Sequence, residues 1–211
     1  MGHSFGNLFL TAMCAITGDM YRAVKESSKV LSIRGRVLPS TLDDMRLAAE
    51  FEDGTVVHGE SDIPEAHKKI KRLFIEPENC KALNTVIEAI KDADLIILGP
   101  GSLYTSVIPN LLIKEISEEI AKSNAKKIYV CNIMTQPGES DNYAVSDHIN
   151  ALYKHSGSDK LIDAVLVNNS LPQNMSEKYA QCGQFPVVLD KQNIKVDILE
   201  KKLICILVAR D

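Results

Sequence analysis

Three stretches carry groups that could do chemistry together: Gly99-Pro100-Gly101-Ser102-Leu103-Tyr104-Thr105-Ser106, Asn132-Ile133-Met134-Thr135-Gln136-Pro137-Gly138-Glu139-Ser140 and Asn168-Asn169-Ser170-Leu171-Pro172-Gln173-Asn174. Each follows a short apolar run and is rich in neutral hydrogen-bonding groups. In the first, glycines let a ligand approach backbone N–H groups at the positive end of an oncoming helix, which is how a phosphate is held without a lysine. Its candidate anion contacts are Gly99, Pro100, Gly101, Ser102, Thr105 and Ser106. The run is not a Walker loop, since no Gly-Lys-Ser/Thr follows, and Tyr104 occupies the last glycine's place of a dinucleotide G-x-G-x-x-G pattern. Taken alone, it also reads as a Gly-Pro-Gly turn with Ser106 or a neighbour capping a helix.

Further places offer the same kind of group. Gly2-His3-Ser4-Phe5-Gly6-Asn7 sets small polar residues ahead of an apolar helix, so Gly6 and Asn7 make a second anion-facing terminus or a frayed cap. Arg34 and Arg36 share one face of an extended segment and fit a diphosphate bidentately, or a solvated edge strand. Ser40-Thr41-Leu42-Asp43-Asp44 offers hydroxyls and carboxylates that suit a magnesium-bound phosphate or a capped turn. No G-x-S-x-G elbow, H-E-x-x-H helix or His/Cys cluster occurs, so no metal ligands are assigned, and His148 and His155 are expected on an outer helix face.

The elements that must position these loops change character near residue 93. Before it, Leu8 to Ile16 and Tyr21 to Leu31 have helical spacing, broken at Thr17-Gly18-Asp19. Met45 to Glu52 alternates, Asp53-Gly54 signals a hairpin into Thr55 to Gly59, and Lys69 to Ile75 reads as a strand. This predicts an antiparallel excursion at about 35–76. From Asp94, strands at 94–98, 127–131, 162–167 and 187–189 alternate with helices reaching about Lys122 and His155 and a short one near Glu177. Continuous apolarity in those strands predicts burial on both faces, hence an α/β fold with a doubly wound, Rossmann-like, mostly parallel sheet. The three polar loops all follow strands, and ligands of such sheets bind outside the strands' carboxyl ends.

Composition narrows the function classes. In 211 residues, 45% are hydrophobic and 25% charged, the balance of a globular chain with a real core. The 24 basic and 28 acidic residues give −4, so no global positive field exists for nucleic acid or an anionic membrane, and any anion must be bound locally. Five dispersed cysteines with no C-x-x-C pair fit a reducing cytoplasm. The longest apolar run near the end, Leu203 to Ala209, is well short of the about 18 to 20 residues that span a bilayer, so no membrane insertion is expected.

Gly2 to Asn7, Arg34-Gly35-Arg36-Val37-Leu38-Pro39-Ser40-Thr41, Leu98 to Leu112 and Val130 to Glu139 together closely resemble the gluconeogenesis factor (YvcK-type) family, within the CofD-like proteins. The similarity runs from Gly2 to about Leu189. It implies a cytoplasmic protein that binds a UDP-sugar such as UDP-N-acetylglucosamine and influences carbon flow, wall synthesis and cell shape, with homo-oligomerisation an open possibility. In this light Arg34, Arg36, Thr41, Asn132, Thr135 and Gln136 are expected to bind substrate. The CofD-like transferases imply an alternative: an enzyme moving a group from a nucleotide diphosphate carrier, with magnesium, Asn7 and Asp43 orienting the donor and His3 and Asp43 the candidate catalytic groups. The resemblance further implies a single domain over 1–211 that lacks the first Rossmann unit and diverges after Leu189. A third expectation follows, a defective fragment with little ligand affinity and an uncovered edge or face.

Overall fold

Gly18 and Asp19 divide the first helical stretch as their residue types dictate. In the computed structural model, which describes residues 5–170 and 173–203, α1 (Phe5–Thr17) ends where Gly18 takes φ +87°. Asp19 then caps α2 (Met20–Val30), its Oδ1 accepting the Arg22 N–H at 2.7 Å. Phe5, Gly6 and Asn7 are already helical, so the expected loop ahead of α1 is not there among the described residues. His3 lies outside the described residues.

The antiparallel excursion comprises β1 (Arg46–Phe51), β2 (Val56–His58), the short helix α3 (Asp62–Glu65) and β3 (Ile70–Glu76), in sheet order β2-β1-β3. Its turn is the expected one: Gly54 takes φ +82° and Asp53 Oδ1 accepts the Thr55 N–H at 3.0 Å. The sheet starts at Arg46, not near residue 35. Residues 31–45 run without strand pairing, because Pro39 has no N–H to give a ladder and the Ser40 carbonyl instead accepts the Leu83 N–H.

The parallel sheet follows as α4 (Asn84–Lys91), β4 (Leu95–Leu98), a π-helical turn at Leu103–Val107, α5 (Ile108–Leu112), α6 (Lys114–Lys122), β5 (Lys126–Val130), α7 (Val145–Ser156), β6 (Ala164–Asn168), α8 (Gln173–Ala180) and β7 (Asp197–Lys201). Its order is β4-β5-β6-β7, every pair parallel. The fold is α/β, a parallel sheet with a small antiparallel one beside it. The helix expected to run on to Lys122 is broken at Ile113, which adopts extended backbone between α5 and α6. Residues 187–189 form no strand. Val187 instead donates its N–H to the Ile133 carbonyl and the Val188 carbonyl accepts the Val145 N–H, so the segment straps the second polar loop to α7. The fourth strand is β7, whose Asp-Ile-Leu-Glu-Lys sequence is mostly exposed, as suits an edge, and lacks the continuous apolarity of its neighbours.

The two faces of this sheet differ. Leu98, Tyr129, Val165 and Ile198 lie in one row across the strands, and the first three are buried. They join Leu103, Ile108, Leu111 and Leu152 from the helices and Phe51, Leu73 and Ile75 from the antiparallel sheet in one core. On the opposite face Leu95 and Ile97 are 48% and 55% exposed, Leu199 is exposed, and Ile128, Val130 and Leu166 are half-buried. Burial on both faces, expected from the continuous apolar runs, therefore holds only in part: α4 to α7 pack on one another in a single layer, which leaves the second face partly open.

His148 stands inside the core and not on an outer face. It is fully buried, Nδ1 hydrogen-bonds the Tyr129 hydroxyl at 2.9 Å, and Nε2 has no partner. Burial lowers its pKa to about 4, outweighing the neighbouring Asp147 carboxylate, which pulls the other way. The folded chain thus keeps His148 neutral at pH values where the unfolded chain, with a pKa near 6.5, takes up a proton. Stability is expected to fall by about 3 kcal/mol from this site as pH drops from about 6.5 to about 4. Urea titrations over that range should show a flatter acid limb for His148→Gln than for the parent; parallel profiles would contradict the assignment.

Candidate functional site

The loops after β4 and β5 are pressed together by their glycines. Gly99 takes φ +82°, and a Cβ there would lie 3.0 Å from the Val130 carbonyl oxygen, so only glycine lets β4 turn this close to the end of β5. Gly138, at φ +78°, packs so tightly on the Pro64 backbone of α3 that no Cβ fits, which fixes the second loop against the antiparallel excursion.

Between the loops lies Glu139, 4% exposed. Its Oε2 accepts the Tyr104 N–H at 3.0 Å, while its Oε1 accepts the Thr105 hydroxyl at 2.8 Å and the Gln136 Nε2–H at 3.0 Å. Burial raises its pKa against these bonds, which pull the other way. The chain's own carboxylate therefore takes the positive start of the helical segment, where the sequence suggested an external anion. Glu139 stood in the second polar stretch but was not among the expected site residues. A carboxylate three residues after a glutamine, following a loop of neutral groups, was the available signal.

What remains for a ligand is the backbone just ahead. The N–H groups of Gly101, Ser102 and Leu103 have no intramolecular acceptor among the described residues, which leaves three successive backbone donors for a ligand. The Ser102 carbonyl accepts the N–H groups of Ser106 and Val107, the second bond spanning five residues, which widens the helical start into a π turn. Beside this backbone is a slot lined by Pro100, Gly101, Val130, Cys131, Asn132, Ile133 and Leu203. Leu203 is held over it by its N–H, donated to Asn168 Oδ1 at 3.0 Å. Cys131 is buried, and burial pushes its thiol up to about 12, which removes it as a nucleophile at neutral pH.

The structure brings Gly99, Pro100, Gly101, Ser102 and Asn132 to this place. Thr105 faces Glu139. Ser106 is exposed on the groove behind the loop, where its carbonyl accepts the Asn110 Nδ2–H and Asn110 Oδ1 in turn accepts the Ser40 hydroxyl. Thr135 and Gln136 are spent on their own loop, Thr135 pairing with the Phe185 backbone and Gln136 with Ser140 and Glu139. Arg36 lines a separate cleft with Tyr21, Lys25 and Lys29 of α2, and Arg34 is exposed close by. Asp43 does not fit the magnesium role: its Oδ2 accepts the Lys81 N–H at 2.8 Å, its N–H goes to the Thr41 hydroxyl, and it lies on no wall of the slot. Among the described residues no group of three or more His, Cys, Asp or Glu side chains could hold a metal ion. No described helix is long and apolar enough to cross a membrane.

A family model described as 2-phospho-L-lactate transferase CofD matches residues 1–204. The chain belongs to the CofD family. It is 51% identical over 200 residues to the gluconeogenesis factor of Bacillus subtilis strain 168, a match that takes in 94% of this chain and 63% of that protein. The gluconeogenesis factor of Halalkalibacterium halodurans is 48% identical over 194 residues, 92% of this chain and 60% of its own length. A crystal structure of a Bacillus halodurans protein, 47% identical, superposes with a TM-score of 0.90 over 95% of this chain and 66% of that one. The chain of this CofD family member thus spans 60% to 63% of the two curated relatives.

Glu139→Ala is expected to lower stability by roughly 2 to 4 kcal/mol, because three donors in a buried site lose their acceptor together. Glu139→Gln, which keeps an acceptor for Tyr104 and removes the buried charge, should cost about half as much. Chemical denaturation of the two variants and the parent checks both; a neutral Glu139→Ala would rule out the clamp.

Proposed function

We propose that this chain is a nucleotide-sugar-binding regulatory protein of the gluconeogenesis factor type, acting in the cytoplasm on carbon flow, wall synthesis and cell shape. The ligand is UDP-N-acetylglucosamine or a close relative, with its diphosphate on the N–H groups of Gly101, Ser102 and Leu103. The observation that carries this reading is the row of three unused backbone donors at the carboxyl end of the parallel sheet, beside an apolar slot that no lysine lines among the described residues. The likeness to two proteins named gluconeogenesis factor supports the regulatory part. The partly open sheet face supports self-association as a further property of the same chain.

The family model's transferase name favours one second reading, transfer of a group from a nucleotide diphosphate carrier. It is the weaker one, because among the described residues the only ionisable side chain lining the slot is Cys131, held protonated. Release of nucleoside monophosphate from such a carrier with magnesium, abolished by Asp43→Asn, would favour the enzyme over the binding protein.

Ser102 has φ −55°, a value proline adopts without strain, so Ser102→Pro deletes one donor and leaves the backbone path intact. A hydrogen bond to a charged group contributes about 1.5 to 3 kcal/mol, so the variant should bind UDP-N-acetylglucosamine roughly tenfold to a hundredfold more weakly. At 100 times its dissociation constant the ligand stabilises the parent by about 2.7 kcal/mol, which a thermal melt resolves. An equal ligand-induced shift in parent and variant would remove the diphosphate from this loop.

A further inference from the structure

A second cleft, of about 260 Å³, shares no residue with the slot. One wall is a face of α7 that carries Asp147 and Lys154 at helical spacing, and the other holds Glu52 and Lys69, just beyond the ends of β1 and β3. Tyr104 and Tyr143 line it as well, their hydroxyls 2.8 Å apart. One of these hydroxyls donates to the other, and the hydrogen of the second has no acceptor among the described residues. Tyr104 is 3% exposed, so this spare donor sits at the closed end of the cleft, where a partner is needed.

The walls carry charges of both signs that are left apart. On the same two segments Glu50 pairs with Lys71 and Arg72, and Asp53 with Lys68, yet Glu52 and Lys69 enter no ion pair among the described residues. Asp147 spends one oxygen on the Ala144 N–H, and Lys154 is steadied by donating to the Lys71 carbonyl. Burial raises the pKa of the Tyr143 phenol, and the carboxylates of Asp147, Asp141 and Glu52 raise it further against the Tyr104 hydrogen bond. Glu52 and Asp147 therefore bear on one hydroxyl from opposite walls.

This lining narrows the ligand. Two carboxylates are too few for a metal ion, and they repel a phosphate. A simple amine would satisfy the acids and leave Lys69 and the spare phenolic hydrogen unused. We infer that the cleft binds a free α-amino acid with an apolar side chain. Its ammonium lies between Glu52 and Asp147, its carboxylate takes Lys69 and the tyrosine hydroxyl, and its side chain packs on Ile70 and Ala151. The site is independent of the nucleotide-sugar reading.

Calorimetric titrations of the full chain with L-alanine, L-valine, L-leucine and L-phenylalanine test it, each beside its N-acetyl and amide forms. At least one free amino acid is expected to bind, and both blocked forms should bind at least tenfold more weakly, since one lacks the ammonium and the other the carboxylate. Lys69→Met and Glu52→Gln change exposed positions and should each weaken binding of the free amino acid at least tenfold. Ser102→Pro, in the nucleotide loop, should leave it within twofold. No binding of any of the four at millimolar concentration overturns the site, as does equal binding of free and blocked forms or unchanged affinity in either wall variant. Loss of binding in Ser102→Pro would move the amino acid to the loop after β4 and overturn it as well.

Discussion

The buried carboxylate of Glu139 is the constraint on which the site depends. Loops that leave a parallel sheet have no ladder to hold them, and two of them here are joined by one side chain that accepts from both. A charge placed 4% exposed is tolerable when its lone pairs are filled, and the Tyr104 amide, the Thr105 hydroxyl and the Gln136 amide fill them. The arrangement also divides labour along five residues of chain: the donors of Tyr104 and Thr105 hold the architecture, and those of Gly101 to Leu103 are left over for something else.

Much of this was legible in the sequence because local chemistry and tertiary context agreed. Gly18 and Asp19 separate two helices whatever surrounds them, and Asp53-Gly54 makes a turn for the same local reason. The first three parallel strands could be read from runs of continuous apolarity. What could not be read was decided by partners far along the chain. Val187 to Leu189 has the look of a strand, yet its backbone is claimed by Ile133 and Val145, while the less apolar Asp197 to Lys201 takes the sheet edge. His148 sat beside Asp147 in a polar-looking helix, and only the fold puts it under Tyr129.

The same logic sorts the expected site residues. Glycines and the loop beginning at Gly99 could be found because close approach demands glycine at any such place. Thr135, Gln136 and Thr105 lie on the polar loops but are bonded within the chain, since a sequence lists donors without saying which acceptor has them. Arg36 illustrates the opposite case. Two arginines spaced by two invite a diphosphate, but their segment forms no strand, and Arg36 lines a cleft beside α2, apart from the slot.

The contact of Gly138 with the Pro64 backbone reaches beyond the loop that contains it. It adds a backbone lock at one corner of the core that the two sheets share, so the chain has unequal room for insertions. The Asp53-Gly54 tip projects from the far end of its hairpin and can accept added residues, since the cost of a longer loop grows only with the logarithm of its length. An insertion of the same size at the α3 corner would push Pro64 away from Gly138 and be felt at the loop that carries Glu139. Variation in length is therefore free on one side of the excursion and coupled to ligand geometry on the other.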